Sequence, residues 1–334
     1  MKILARLSDF FARLFLGKPP EPGRYVAGTK FALRGFLRTL PWVWPRREYL
    51  LYLPAGWSWW KRVPLVVLCH GCRQAPEEFA QGTGIAALAD ARGWRVLLPR
   101  QKDSANAWRC WNWFDAATAG GSGEAAIVAA MIRSVRRRYR ADRHRVAAVG
   151  MSAGGALAAA LGVRHPDIVH AVAVHSGLAC GAAASAFTAI GVMQHGPETD
   201  VEAIAATVAG AAPEDLPVPL LVIHGTADAV VARVNAVMLV RQYLRLNGHP
   251  AVDARALPPQ SLPAPDAART DAAAGARATT TSEWRVGERL VARLVSIDGL
   301  GHAWSGGDDT LPFNDAQGPD ATALVGNFLR DAMP

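Results

Sequence analysis

The chemistry in this chain centres on one serine. In "GMSAG" (150–154), Ser152 lies between Gly150 and Gly154, each two residues away. An apolar run, "HRVAAVG" (144–150), leads into it, and a small-residue run, "AGGALAAALGVRHP" (153–166), follows. A strand, then G-x-S-x-G, then a helix is the pattern of a nucleophile elbow, in which a tight turn forces the serine into a strained conformation above a sheet. A side chain two residues to either side would collide with neighbouring elements, which calls for glycine. The helix N-terminus adds free N–H groups and partial positive charge for a developing oxyanion. A plain turn between buried elements is the competing reading. The placement between a buried strand and a small-residue helix favours the nucleophile.

A serine hydroxyl needs a base. On such a turn the acid and then the histidine follow the serine in chain order. After Ser152 come His165, His170, His175, His195, His224, His249 and His302. His302 lies in the glycine-rich "GLGHAWSGG" (299–307), between the last expected strand and the last helix, where an exposed, positioned imidazole belongs. His224 ends a strand and reads as packed. Asp228, just past the strand end in "VPLLVIHGTADAVV" (218–231), is the candidate acid, set to orient the histidine tautomer and stabilise imidazolium. Capping of the next helix is its rival role. Asp215 and Asp298 are weaker: one precedes the strand and the other is too near the histidine. The loop after an early strand, "LCHGCRQ" (68–74), is placed to supply the second oxyanion donor, so the N–H groups of Cys72 and Ala153 are assigned to the hole, with His70 holding the loop.

These residues need a frame. Strand-length apolar runs alternate with helix-patterned segments over most of the chain. Strands are expected at 47–54, 64–71, 94–100, 144–150, 168–177, 218–225 and 289–298, and helices at 76–93, 123–140, 153–166, 231–248 and 319–333. The strands are nearly all apolar, as in strands buried on both faces. The alternation implies an α/β fold, a mostly parallel central sheet with helices on both faces. Residues 1–45, punctuated by "KPPEPG" and "LPWVWP", read as an N-terminal leader with an amphipathic segment, and 46–334 as the catalytic domain. The Ala-, Pro- and Thr-rich stretch 256–283 reads as a flexible insertion loop.

Composition narrows the class. The chain has 334 residues, 51% hydrophobic and 19% charged, which suits a globular fold. The formal net charge is +8, with the densest basic run, "RSVRRRYRADRHR" (133–145), at a helix end and the following turn. That run reads as a solvated helix face with mild attraction for anionic surfaces or acidic substrates. No nucleic-acid docking motif accompanies it, so no nucleic-acid partner is expected. Arg6, Asp9 and Arg13 interrupt the N-terminal apolar residues, so no clean signal peptide forms, and no stable membrane insertion is expected. Four cysteines form no zinc pattern, and no metal or cofactor is called for. A disulfide between two of them would argue for an oxidising compartment.

The words "CHGCRQ" (69–74), "CWNWF" (110–114), "GMSAGG" (150–155), "HSGL" (175–178), "HGTAD" (224–228) and "GLGHAWSGG" (299–307) occur in an order that closely resembles the polyhydroxybutyrate depolymerase family of esterases. The likeness runs from about residue 47 to about 330. It implies an α/β-hydrolase fold and serine-dependent hydrolysis of carboxylic esters, with the triad on Ser152, Asp228 and His302. Implied substrates are short-chain poly(3-hydroxyalkanoate) polyesters and their oligomers, with feruloyl or acetylxylan esters as the alternative. It also implies a disulfide between Cys72 and Cys110, and with it an extracellular or periplasmic location. Trp111, Trp113 and Trp304 are candidate walls of the substrate pocket, core packing being the alternative for the first two. A non-catalytic binding protein of the same fold is the reading from a different class, and the intact Ser–Asp–His set argues against it.

Overall fold

The computed structural model describes residues 21–31, 46–209, 218–252, 257–258, 260–272 and 275–333. Its main sheet is built from β1 (Arg24–Phe31), β2 (Arg46–Leu53), β3 (Val63–Cys69), β4 (Arg95–Pro99), β5 (Ala141–Met151), β6 (Ala171–His175), β7 (Leu220–Gly225), β8 (Ala267–Asp271), β9 (Thr279–Val286) and β10 (Arg289–Ile297). Their spatial order is β1-β2-β4-β3-β5-β6-β7-β10-β9-β8. The run from β4 to β10 is parallel, and β1, β2, β8 and β9 extend it through antiparallel pairs. Two short strands, β11 (Trp304–Ser305) and β12 (Asn314–Asp315), pair apart from it.

The helices are α1 (Pro76–Thr83), α2 (Ile85–Arg92), α3 (Ala116–Ala119), α4 (Gly123–Arg138), α5 (Ala153–Arg164), α6 (Ala186–His195), α7 (Val201–Ala209), α8 (Val234–Leu246) and α9 (Ala321–Ala332). Alternate residues of a strand point to opposite faces, and the two cores follow that rule. Leu65, Val67, Val146 and Ala148 pack with residues of α4, α5 and α8 on one face. Val66, Leu68, Ala147 and Val149 pack with Phe79, Ile85 and Phe328 on the other. This is the α/β-hydrolase arrangement implied by the sequence.

The structure corrects the sequence reading in three places. The single helix expected at 76–93 is two, because Gly84 sits at φ 63° and ends one helix where the next begins. The segment 256–283, read as a flexible loop, carries β8 and most of β9, added as a hairpin beyond β10. It holds threonines in place of an apolar run: Thr279 and Thr281 are buried on one face of β9 and Trp284 on the other, while β8 is exposed throughout. Residues 24–31, assigned to the leader, form β1 and pair with β2 in the main sheet. The amphipathic segment expected at the N-terminus lies outside the described residues. Among the described residues no helix is long and apolar enough to cross a membrane.

Candidate active site

Ser152 follows β5 and precedes α5, with φ 55° and ψ −125°, a conformation that non-glycine residues avoid. Its N–H donates to the carbonyl of His175 at 3.0 Å, which fixes the turn against β6. The two flanking glycines are sterically required. A Cβ on Gly150 would lie 2.3 Å from the carbonyl oxygen of Gly154, and one on Gly154 would lie 2.2 Å from that of Cys69. The sequence pattern and the observed turn therefore have one cause: backbone packed against backbone at the end of β5.

His302 and Asp228 meet across the ends of β10 and β7. The imidazole Nδ1 is 2.9 Å from Asp228 Oδ2 and 3.1 Å from Oδ1. The Asp228 side chain is fully buried, and its Oδ1 also accepts from the amides of Val230 and Val231 at 3.0 and 2.9 Å. Burial pushes the Asp228 carboxyl up, but the bond and positive charge of His302, the Val231 amide and the Ser176 hydroxyl outweigh it and bring it to about 2. A carboxylate on Nδ1 leaves Nε2 of a neutral His302 as the basic nitrogen. The two loops are sewn together: the Ala227 N–H donates to the Leu300 carbonyl at 3.0 Å, and the Gly299 N–H to Thr226 Oγ1 at 2.8 Å.

The 70–74 loop faces the serine. His70 is buried, with Nδ1 2.8 Å from the Gly71 carbonyl, while its Nε2 accepts from the Gln101 amide at 3.2 Å. The Gly71 N–H donates to the Gln74 side chain at 2.8 Å and the Arg73 N–H to the Trp108 carbonyl at 2.7 Å. The Cys72 amide lies between these two engaged donors, and Ala153 opens α5, where N–H groups have no intrahelical acceptor. A Cys72–Cys110 disulfide ties the loop to the segment before α3. Replacing both cysteines by serine is expected to lower stability by about 2–4 kcal/mol, since the bridge closes a long loop. It is also expected to depress kcat more than KM by loosening the loop. Urea denaturation and steady-state kinetics of the double variant check both.

Ser152 and His302 line one cavity of about 220 Å³, with Gly71, Cys72, Arg73, Gln74, Met151, Met193, Val230 and Phe313. The tryptophans assigned to its walls are elsewhere. Trp111, Trp113 and Trp304 are all buried and are absent from the lining. The Trp111 indole donates to the His70 carbonyl at 3.1 Å. Trp304 stacks on His175 and donates to Thr322 Oγ1 at 3.1 Å. They are packing residues beneath the site because an indole this large gains more from full burial, with its N–H satisfied, than from exposure. Cys180 is buried, with its thiol 3.4 Å from the Ala119 carbonyl. Sequence reasoning missed Arg73, Gln74, Met193, Val230 and Phe313. It also missed Ser176, fully buried at φ 49° with its hydroxyl 3.2 Å from His175 Nδ1 and bonded to Asp228. The "HSGL" word was the available signal for Ser176. Nothing in the local pattern marks Met193 or Phe313, which reach the cavity from α6 and the loop before β12.

Residues 47–257, well over half of the chain, match the Esterase PHB depolymerase family model. The chain belongs to this family. The matched span contains Ser152, Asp228 and the disulfide, and it ends before His302. A poly(3-hydroxyalkanoate) depolymerase C of Paucimonas lemoignei is 28% identical over 200 residues, covering 59% of this chain and 48% of the relative. A feruloyl esterase B of Thermothelomyces thermophilus is 32% identical over 126 residues, 38% of this chain and 43% of the relative. The chain thus spans about half the length of the curated relatives it matches. An acetyl xylan esterase structure from Aspergillus awamori shares the fold at TM-score 0.62 and 19% identity, covering 82% of this chain and 94% of that one.

In this member of the PHB depolymerase family, three histidines around the site are held neutral. Burial brings His70 to about 4 and His175 to about 3, and it also lowers His224, whose Nε2 lies 2.9 Å from the Val231 carbonyl. Such groups take up protons when unfolded and not when folded. Their contribution is fully present above the unfolded value near 6.5 and is lost as pH falls toward the folded values. Each group contributes a slope of up to about 1.4 kcal/mol per pH unit. Asp228 adds a second loss below about pH 4, as pH approaches its folded value of about 2. Urea midpoints measured from pH 8 down are therefore expected to fall from near pH 6.5, and His175→Gln is expected to flatten that limb.

Proposed function

We propose that this chain is a serine carboxylic ester hydrolase that cleaves short-chain poly(3-hydroxyalkanoate) polyester or its oligomers through an acyl-enzyme. The observation that carries the reading is the convergence, on one cavity, of a serine at a strained strand-to-helix turn and a histidine paired with a buried carboxylate. Ser152 Oγ attacks the ester carbonyl carbon while His302 Nε2 takes its proton. Asp228 holds the imidazole and stabilises the imidazolium. The Cys72 and Ala153 amides receive the oxyanion. The tetrahedral adduct collapses, the C–O bond to the alcohol breaks, and His302 returns the proton to the leaving oxygen. A water then attacks the acyl-enzyme by the same route and releases the carboxylic acid.

Met193, Val230 and Phe313 give the cavity an apolar side suited to an aliphatic acyl chain. The depolymerase relative, which aligns with more of this chain than the feruloyl esterase does, supports the polyester reading. Feruloyl or acetylxylan esters are the second reading, favoured by the feruloyl esterase relative. The Cys72–Cys110 bridge supports an oxidising, extracellular or periplasmic setting. One comparison decides the substrate: wild type against p-nitrophenyl esters of rising acyl length, methyl ferulate, acetylated xylan and a suspension of amorphous poly(3-hydroxybutyrate). Clearing of the suspension with release of hydroxyacid is the expected result. Turnover of ferulate or acetylxylan with an untouched suspension overturns the polyester assignment in favour of the second reading.

A further inference from the structure

At the edge of the sheet remote from Ser152, the parallel strands β3, β4 and β5 begin at Val63, Arg95 and Ala141. A second cavity of about 610 Å³ lies against these ends, walled by Arg62, Arg133, Arg136, Arg137, Arg140 and Arg143. Asp167 is the one carboxylate in its lining, and it pairs with Arg133 at 3.2 Å. Asp142, next to Ala141, is already held by Arg145 at 3.0 Å and by the His144 amide at 2.9 Å. Arg143 donates to the His144 ring, which supplies no negative charge. Among the described residues, Arg62, Arg136, Arg137 and Arg140 have no carboxylate partner.

A further cation, Arg95, lies outside the cavity lining but is bonded to the backbone that carries it. Arg95 is completely buried with no carboxylate beside it among the described residues. It donates to the Arg140 carbonyl at 3.3 Å and to the Ser58 and Lys61 carbonyls at 3.3 and 3.1 Å. Its Nε is buried without a partner. One buried guanidinium thus pins together the two backbone segments that carry Arg62 and Arg140. Burial brings Arg95 down to about 10, so it stays charged at neutral pH.

The end of α4 explains only part of this charge. A helix C-terminus presents roughly half a negative charge, which one or two basic residues satisfy. Six guanidiniums around one cavity repel one another within a Debye length of about 8–10 Å. Burial, with repulsion from Arg133 and Arg143, holds Arg136 below its ordinary value despite the opposing pull of Asp167 and Asp142. An anion is what would relieve that repulsion. Guanidinium forks match phosphoryl oxygens bidentately, and the volume is that of a small-ligand site. We propose that this cavity binds a compact ligand carrying several phosphoryl groups, gripped by Arg62, Arg136, Arg137, Arg140 and Arg143. The cavity opens to solvent and its lining holds no aromatic side chain on which a base could stack, which suits an oligophosphate or a phosphorylated headgroup better than a nucleic acid. Ala141 pairs with Val63 and Gly150 with Cys69, so the length of β3, about 20 Å at the usual rise per residue, separates it from Ser152, and the two cavities share no lining residue.

The test is calorimetric titration of the full chain with sodium tripolyphosphate at low and at 300 mM salt. Wild type is compared with Arg62→Gln/Arg137→Gln/Arg143→Gln, all exposed positions, and with a control, Arg285→Gln/Arg289→Gln, on another basic surface. Saturable binding is expected, weakened at least tenfold by the triple substitution, weakened by salt and unchanged in the control. Tm without ligand and turnover of a soluble p-nitrophenyl ester should match wild type in every variant. A parallel flotation assay with phosphatidylglycerol vesicles separates the sources. Tripolyphosphate binding alone supports a free oligophosphate, and binding of both, lost together in the triple variant, supports a phosphorylated headgroup in the same cavity. Equal loss in the control variant, binding of vesicles without tripolyphosphate, or no saturable binding overturns the proposal.

Discussion

Ser152→Ala is expected to lower kcat/KM for a soluble p-nitrophenyl ester by about 10⁴-fold or more, and His302→Ala by a similar factor. The double variant is expected to lose no more than either single one, because a nucleophile without its base and a base without its nucleophile fail at the same step. Ser152→Ala should leave the fold intact, whereas His302→Ala leaves the buried Asp228 carboxylate without its imidazole partner and should lower stability. The Ser152 backbone is held at φ 55° by the packing of Gly150 and Gly154 and by its N–H bond to His175, none of which involves the hydroxyl. His302 is almost fully buried, and among the described residues its polar partner is Asp228. Initial rates with purified variants, normalised by folded fraction from circular dichroism, check this. Additive losses in the double variant would mean that the two residues do not act as a unit.

Gly154→Ala is expected to damage the fold itself. The added Cβ would meet the carbonyl oxygens of Cys69 and His70 at 2.2 and 2.4 Å, and both belong to backbone at the end of β3. No side chain can rotate away. Either α5 lifts from the sheet or the 70–74 loop shifts, and overpacking of this kind costs about 1–3 kcal/mol, occasionally more. Activity should fall as well, because the displaced backbone adjoins Cys72 and Ala153. Gly191 is the contrasting case. It lies inside α6 with nothing within 4 Å of its would-be Cβ, so Gly191→Ala should gain about 0.5–1 kcal/mol. Urea denaturation of the two variants side by side reads the difference directly. Equal stability for both would refute the steric account of the elbow.

The parts of this molecule legible in the sequence are those where one physical requirement dominates. Fully buried parallel strands must be apolar on both faces, so β3, β5, β6 and β7 stand out. A backbone-on-backbone turn demands glycine, so the elbow stands out. Chain order and loop context pick out Asp228 and His302, which the fold brings to 2.9 Å. Legibility fails where several requirements compete. An edge hairpin such as β8–β9 is held by backbone pairing and threonines, with no apolar run to announce it. A tryptophan beside a chemical motif reads equally as wall or as packing, and burial made all three packing residues. Ser176 reaches Asp228 only because β6 and β7 are neighbours, a fact that spacing along the chain does not carry.

The arginine cavity shows the same limit from the other side. The basic run at 133–145 reads as a solvated helix face, and part of it is one: Arg138 is exposed at the end of α4 and lies outside the cavity lining. Only the fold brings Arg62, just before β3, to one cavity with Arg140 and Arg143 and bonds Arg95 to the Arg140 and Lys61 carbonyls.

Covalent trapping tests the central claim most directly. The protein would be treated with a p-nitrophenyl alkylphosphonate, digested, and its peptides weighed by mass spectrometry. The account predicts one phosphonyl adduct per chain, on the peptide containing Ser152, with stoichiometric release of p-nitrophenol. It also predicts no adduct in Ser152→Ala and sharply slowed labelling in His302→Ala. An adduct on another residue, or full loss of activity with Ser152 unmodified, would contradict it.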